Sequence, residues 1–143
     1  MGSIISYQTA LIYVMVIAAV ADGKLKDSEL NNIKEMVRVL PIFHNYSQKL
    51  SVCIGDCTAL LDQEDGIDAA LGLVQQALPE KLHETAYALA CDIVAVDGDA
   101  AQEELVWLEM LRHKLNINRL HAAAIERGSR ARFMRYHETA HTD

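Results

Sequence analysis

Residues 17–40, IAAVADGKLKDSELNNIKEMVRVL, return seventy-five positions later as residues 92–115, DIVAVDGDAAQEELVWLEMLRHKL. Each copy is an Ala/Val-rich run ending in Asp-Gly. Each places a glutamate seven residues after that aspartate, Asp22 to Glu29 and Asp97 to Glu104. Apolar residues then keep step, with Leu30, Ile33, Met36 and Leu40 against Leu105, Leu108, Leu111 and Leu115. Steps of three and four belong to one face of a helix. A repeated helix–loop–helix unit sets the architecture before any other feature. The expectation is an all-α single domain spanning residues 1–143, a bundle of about seven helices containing two antiparallel hairpins, with 126–143 as a frayed basic, histidine-containing tail.

The rest of the chain divides around these units. Residues 9–21, TALIYVMVIAAVA, carry no charge, are too short to span a bilayer and lack a basic flank. They read as a buried first helix, from about Ser6 to Ala21. The start Met1-Gly2-Ser3-Ile4-Ile5-Ser6 matches a myristoylation pattern in form only. A second helix from about Asp27 to Val39 stops before Pro41, with Leu30, Ile33, Val37 and Leu40 as its buried stripe. Further helices are expected from about Asn45 to Asp62, Ile67 to Ala77, Glu80 to Val96 and Ala101 to Leu115, and a last one from about Arg119. In the sixth, Leu105, Leu108, Leu111 and Leu115 are expected to face inward.

Composition narrows the function classes. Two prolines and seven glycines in 143 residues do not supply the turns of a β-sandwich. The formal charge is −7, and from Asp56 to Glu109 thirteen acids face one base, Lys81. So acidic a middle repels phosphate backbones and attracts cations or basic partners, which argues against nucleic-acid binding. Cys53, Cys57 and Cys91 read as reduced, buried small hydrophobes, since one Cys-x-x-x-Cys makes no zinc ribbon.

The paired loops carry the chemistry. Asp-Gly followed by glutamate has the spacing of the second half of an EF-hand loop, where glycine turns the chain and glutamate closes the site. The first half is missing, because Ala18 and Val20, and Ile93 and Ala95, stand where oxygen ligands belong. One loop supplies too few oxygens for Ca²⁺, whereas two facing loops supply Asp22, Glu29, Asp97 and Glu104, with Asp99 as a fifth. The competing reading is helix capping, with each glutamate as the N3 residue of a capping box whose N-cap is Lys26 or Ala101. Neither N-cap residue has the hydroxyl that completes the box.

Ala19-Val20-Ala21-Asp22-Gly23 with Glu29, and Val94-Ala95-Val96-Asp97-Gly98 with Glu104, in an acidic helical chain, resemble the TerB family of tellurite-resistance proteins. The likeness in helix order covers most of residues 10–118, and the specific motif covers the two loops. It implies a seven-helix bundle of bacterial, cytoplasmic, stress-associated type. It also implies a metal-associated acidic surface and protein partners among other resistance proteins, some membrane-bound, and it does not imply an enzymatic activity. The chain departs from the family in having Val96 before Asp97 and no N-cap hydroxyls.

Other motifs carry less. His137-Glu138-Thr139-Ala140-His141 has the form of a zinc-protease motif but no downstream third ligand and no apolar helix around it. His44, His113 and His121 read as surface residues, His83 as part of an ordinary helix, and Tyr13, Tyr87 and Trp107 as core. Arg127, Arg130, Arg132 and Arg135 read as a solvated basic tail. The expected function is a non-enzymatic module that binds a divalent cation (Ca²⁺, Mg²⁺ or Zn²⁺) or a basic partner through Asp22, Glu29, Asp97, Asp99 and Glu104. A metal-dependent hydrolase using the same carboxylates and a purely structural interaction module are the alternatives.

Overall fold

Eleven consecutive residues, Thr9 to Ala19, are buried in the first helix, α1 (Tyr7–Val20). A helix apolar all round is stable only when neighbours cover every face. A computed structural model of the chain describes residues 5–96, 98 and 100–138. In it α1 is packed by α3 (Leu50–Leu61) and α4 (Gly66–Ala77), by α5 (His83–Val96), and by α2 (Asp27–Val39) and α6 (Gln102–Lys114). The last helix, α7 (Arg119–Arg132), covers α5. Among the described residues the molecule is a single all-α domain of seven helices with no strand. Among the described residues no helix is long and apolar enough to cross a membrane.

The core is one cluster built around α1 and α5, with Leu11, Ile12, Met15 and Val16 of α1 at 0% exposure and Ala86 and Ala90 of α5 equally covered. By contrast α2 buries only Glu29 and Ile33, and its Leu30, Val37 and Leu40 pack half-exposed against the cluster. Ends are set by local chemistry. Ser6 caps α1 by accepting from the Thr9 amide at 3.0 Å, and Asn118 caps α7 by accepting from Leu120 and His121. The Asn116 backbone turns left-handed after α6, φ +53°, and the Ile117 amide closes that end on the Arg112 carbonyl.

Four expectations are corrected. The third helix begins at Leu50 and not near Asn45, because Asn45 is left-handed at φ +60° and Tyr46 and Gln48 are held by Thr9. Residues Glu80–Leu82 form a separate 3-10 turn before α5, and another occupies Pro41–Phe43. In α6, Leu105 is 47% exposed and Leu108 only half-buried; the buried stripe is Glu104, Trp107 and Leu111, continuing to Leu115. The basic stretch is not frayed from residue 126, since α7 runs through Arg132. Arg132 there pairs with Asp92, and Arg135 donates to the Val96 carbonyl at 2.9 Å, capping α5. Residues 1–4, where the myristoylation pattern begins, and 139–143, the second part of His-Glu-x-x-His, lie outside the described residues.

Candidate functional site

The two loops share their local construction. Gly23 and Gly98 have φ of +141° and +88°, and their amides bond the carbonyls of Val20 and Ala95. Glycine suits this backbone because a Cβ would strain it. Three residues past each glycine stands an N-cap, Lys26 or Ala101, at extended φ and ψ. From there α2 and α6 each run thirteen residues.

The glutamates sit at N3 of these helices and fold back over the first turn. Glu29 Oε1 accepts from the Lys26 amide at 2.9 Å, and Glu104 Oε1 accepts from the Ala101 amide at 2.7 Å. Neither N-cap side chain caps its helix in return. Half of a capping box is therefore formed twice, satisfying one orphan amide per helix and setting negative charge at the positive end of the macrodipole. Spacing foresaw these bonds. It did not foresee the burial, 1% for Glu29 and 2% for Glu104. Taking a carboxylate out of water is costly unless it is hydrogen-bonded or paired.

The remaining predicted site residues are placed differently. Asp22 lies exposed just past α1, with its carboxylate 3.9 Å from Lys26 Nζ. An exposed ion pair of this length contributes little. Asp97 and Asp99 lie outside the described residues. Among the described residues no group of three or more His, Cys, Asp or Glu is gathered closely enough to hold an ion. The loops offer carboxylates and carbonyls, without thiol or imidazole, a donor set that suits Ca²⁺ or Mg²⁺ over Zn²⁺.

A groove of about 620 Å³ adjoins the first loop. Ile17, Leu25, Leu61, Trp107 and Met110 line it, with Lys24, Asp62 and Glu103 also on its wall. The indole nitrogen of Trp107 is buried without an acceptor among the described residues. Sequence reading missed this groove because it took the Leu105–Leu108 face of α6 as buried. The actual stripe is turned by one residue, which leaves Val106 at the surface. The one signal was the apolar pair Val106 and Met110, four apart and off the leucine stripe.

Two further clefts lie away from this groove. One of about 410 Å³ between α5, α6 and α7 holds Tyr87, whose hydroxyl donates to Glu126. The other, about 920 Å³, contains His83, which bridges the carbonyls of Leu115 and Leu78, and the exposed pair His121–Glu84 at 2.6 Å. Compared with known proteins, the chain matches no family model, no curated protein and no solved structure.

Proposed function

We propose that the chain is a non-enzymatic, cytoplasmic, TerB-like binding module whose two Asp-Gly loops together hold a divalent cation, with Asp22, Glu29, Asp97, Asp99 and Glu104 as its oxygen ligands. The observation that carries this reading is the pair of buried glutamates at the same N3 position of α2 and α6. One oxygen of each bonds the N-cap amide. An exposed Ser or Asp at the N-cap position satisfies a helix start without burying charge. Carboxylate oxygens at the start of both helices are the hard donors that Ca²⁺ or Mg²⁺ prefers, which supports a cation held by the loops alongside the capping role. The stress-response and tellurite-resistance role, and partners among membrane-bound resistance proteins, rest on the motif resemblance.

The test is calorimetric titration of Ca²⁺ and of Mg²⁺ into chelator-treated full-length protein. Saturable binding is expected, at a Kd of roughly 10⁻⁵–10⁻³ M for a site of few carboxylates. The Asp22→Ala/Asp97→Ala variant is expected to lose at least about tenfold in affinity, the equivalent of one strong charged ligand. Heats of dilution alone from both ions would leave the loops as helix caps in a structural module.

A further inference from the structure

The groove beside the first loop does not end at α1. Val106 and Met110 line it and also a shallower depression that continues to Glu109, His113 and Lys114. Together they form an apolar strip along the outer face of α6. From Glu103 to Lys114 the strip is about 17 Å long at the rise of an α-helix, or three turns. Its exposed apolar surface is concentrated at Val106, 46% exposed, and at Ile67 of α4, 44% exposed. Such a strip between polar margins has the form of a seat for an amphipathic helix, which anchors through residues spaced i, i+3 or i+4, and i+7.

Charge along the strip is divided. At the start of α6 stand Asp62 and Glu103, and the exposed Glu64, Asp65 and Asp68 follow Asp62 at the α3–α4 corner, against the single base Lys24. At the end of α6 stand His113 and Lys114, with Glu109 the acid between the ends. A helix favours acids in its first turn and bases in its last. Laid antiparallel to α6, it meets opposite charge at both ends; laid parallel, it meets like charge at both.

We propose that this strip docks an amphipathic helix of about three turns from a partner protein, antiparallel to α6, with its basic C-terminal end against the α3–α4 corner. Complementary ends fix direction and exclude wrong partners more than they add affinity. The proposal does not depend on the cation in the loops.

Trp107, the chain's one tryptophan, lines the strip and reports on it. The probes are two synthetic helical peptides of about fourteen residues, long enough for three turns and two caps. Both carry leucine at i, i+4 and i+7. One has glutamate in the first turn and lysine in the last, and the other has the charges exchanged. Titrated into the full chain in the presence of chelator, the first is expected to shift Trp107 fluorescence saturably. The exchanged peptide is expected to bind at least about fivefold more weakly at low salt, with the difference shrinking as salt screens the ends. Val106→Arg, at a half-exposed position, is expected to keep the helical circular dichroism and abolish the shift. Equal binding of both peptides, no saturable shift with either, or an undiminished response in Val106→Arg would each overturn the proposal. So would a fluorescence shift on concentrating the protein alone, which assigns the strip to a second copy of the chain.

Discussion

Gly66 and Gly72 stand six residues apart in α4 and are expected to answer alanine in opposite directions. A Cβ at Gly66 would stand 2.4 Å from the Leu60 carbonyl oxygen and 2.8 Å from Leu61 Cα, both backbone atoms that cannot swing aside. Gly72 has nothing within 4 Å of where its Cβ would be. Gly66→Ala is expected to destabilise by about 1–3 kcal/mol through overpacking. Gly72→Ala is expected to stabilise by about 0.5–1 kcal/mol by limiting the unfolded chain. Urea midpoints of the two variants check this, and a shift of the same sign in both would contradict the packing of the α3–α4 corner. At this scale the loops were partly legible. The seven-residue spacing located both N3 glutamates and both N-caps, since those bonds are local. Burial of the glutamates was not legible, because a spacing along the chain reports local bonds and not how deeply a first turn sits in the fold.

The elements were legible where one face or every face is apolar. An uncharged run such as Thr9–Ala19 leaves no side to water, and the structure buries all of it. In α6 the sequence offers more apolar residues than one face can hold: Leu105, Val106, Trp107, Leu108, Met110, Leu111 and Leu115. The leucine repeat suggested one stripe, and packing selected another that contains Trp107 and Glu104. That choice has a measurable consequence. Leu111→Ala, at 0% exposure, is expected to cost about 2–5 kcal/mol. Leu105→Ala, at 47% exposure, is expected to cost less than about 1 kcal/mol. Similar losses in chemical denaturation would mean that α6 sits in the register expected from its leucines. The start of α3 failed for another reason: the bonds of Thr9 to Tyr46 and Gln48 span more than thirty-five residues and hold that stretch out of the helix.

Across the whole molecule, the core holds groups that keep their protons to high pH. Burial pushes the Cys57 and Cys91 thiols from 9.0 up to about 12, helped by Cys53 beside the first and Glu126 beside the second. Burial likewise raises the Tyr13 and Tyr46 hydroxyls from 10.0 to about 12. The unfolded chain releases these protons earlier, so it binds fewer between about pH 9 and pH 12. Their contribution to stability is intact below that window and falls as pH rises through it. Urea midpoints are expected to decline from about pH 9 upward, and all three cysteines to resist thiol reagents at pH 8 until the chain unfolds. A midpoint that rises across the same range would contradict the burial. The acidic balance of the chain and its paired loops lead to the central claim, that two buried glutamates both cap helices and hold a cation. Thermal unfolding of the wild type and of Glu29→Gln/Glu104→Gln, each with chelator and with excess Ca²⁺ or Mg²⁺, tests it most directly. An amide oxygen still accepts the N-cap bond but carries no charge. The account predicts that the ion raises the wild-type Tm and leaves the double variant unmoved, while the two proteins melt within a few degrees of each other in chelator. An equal rise in both proteins, or none in either, would contradict it.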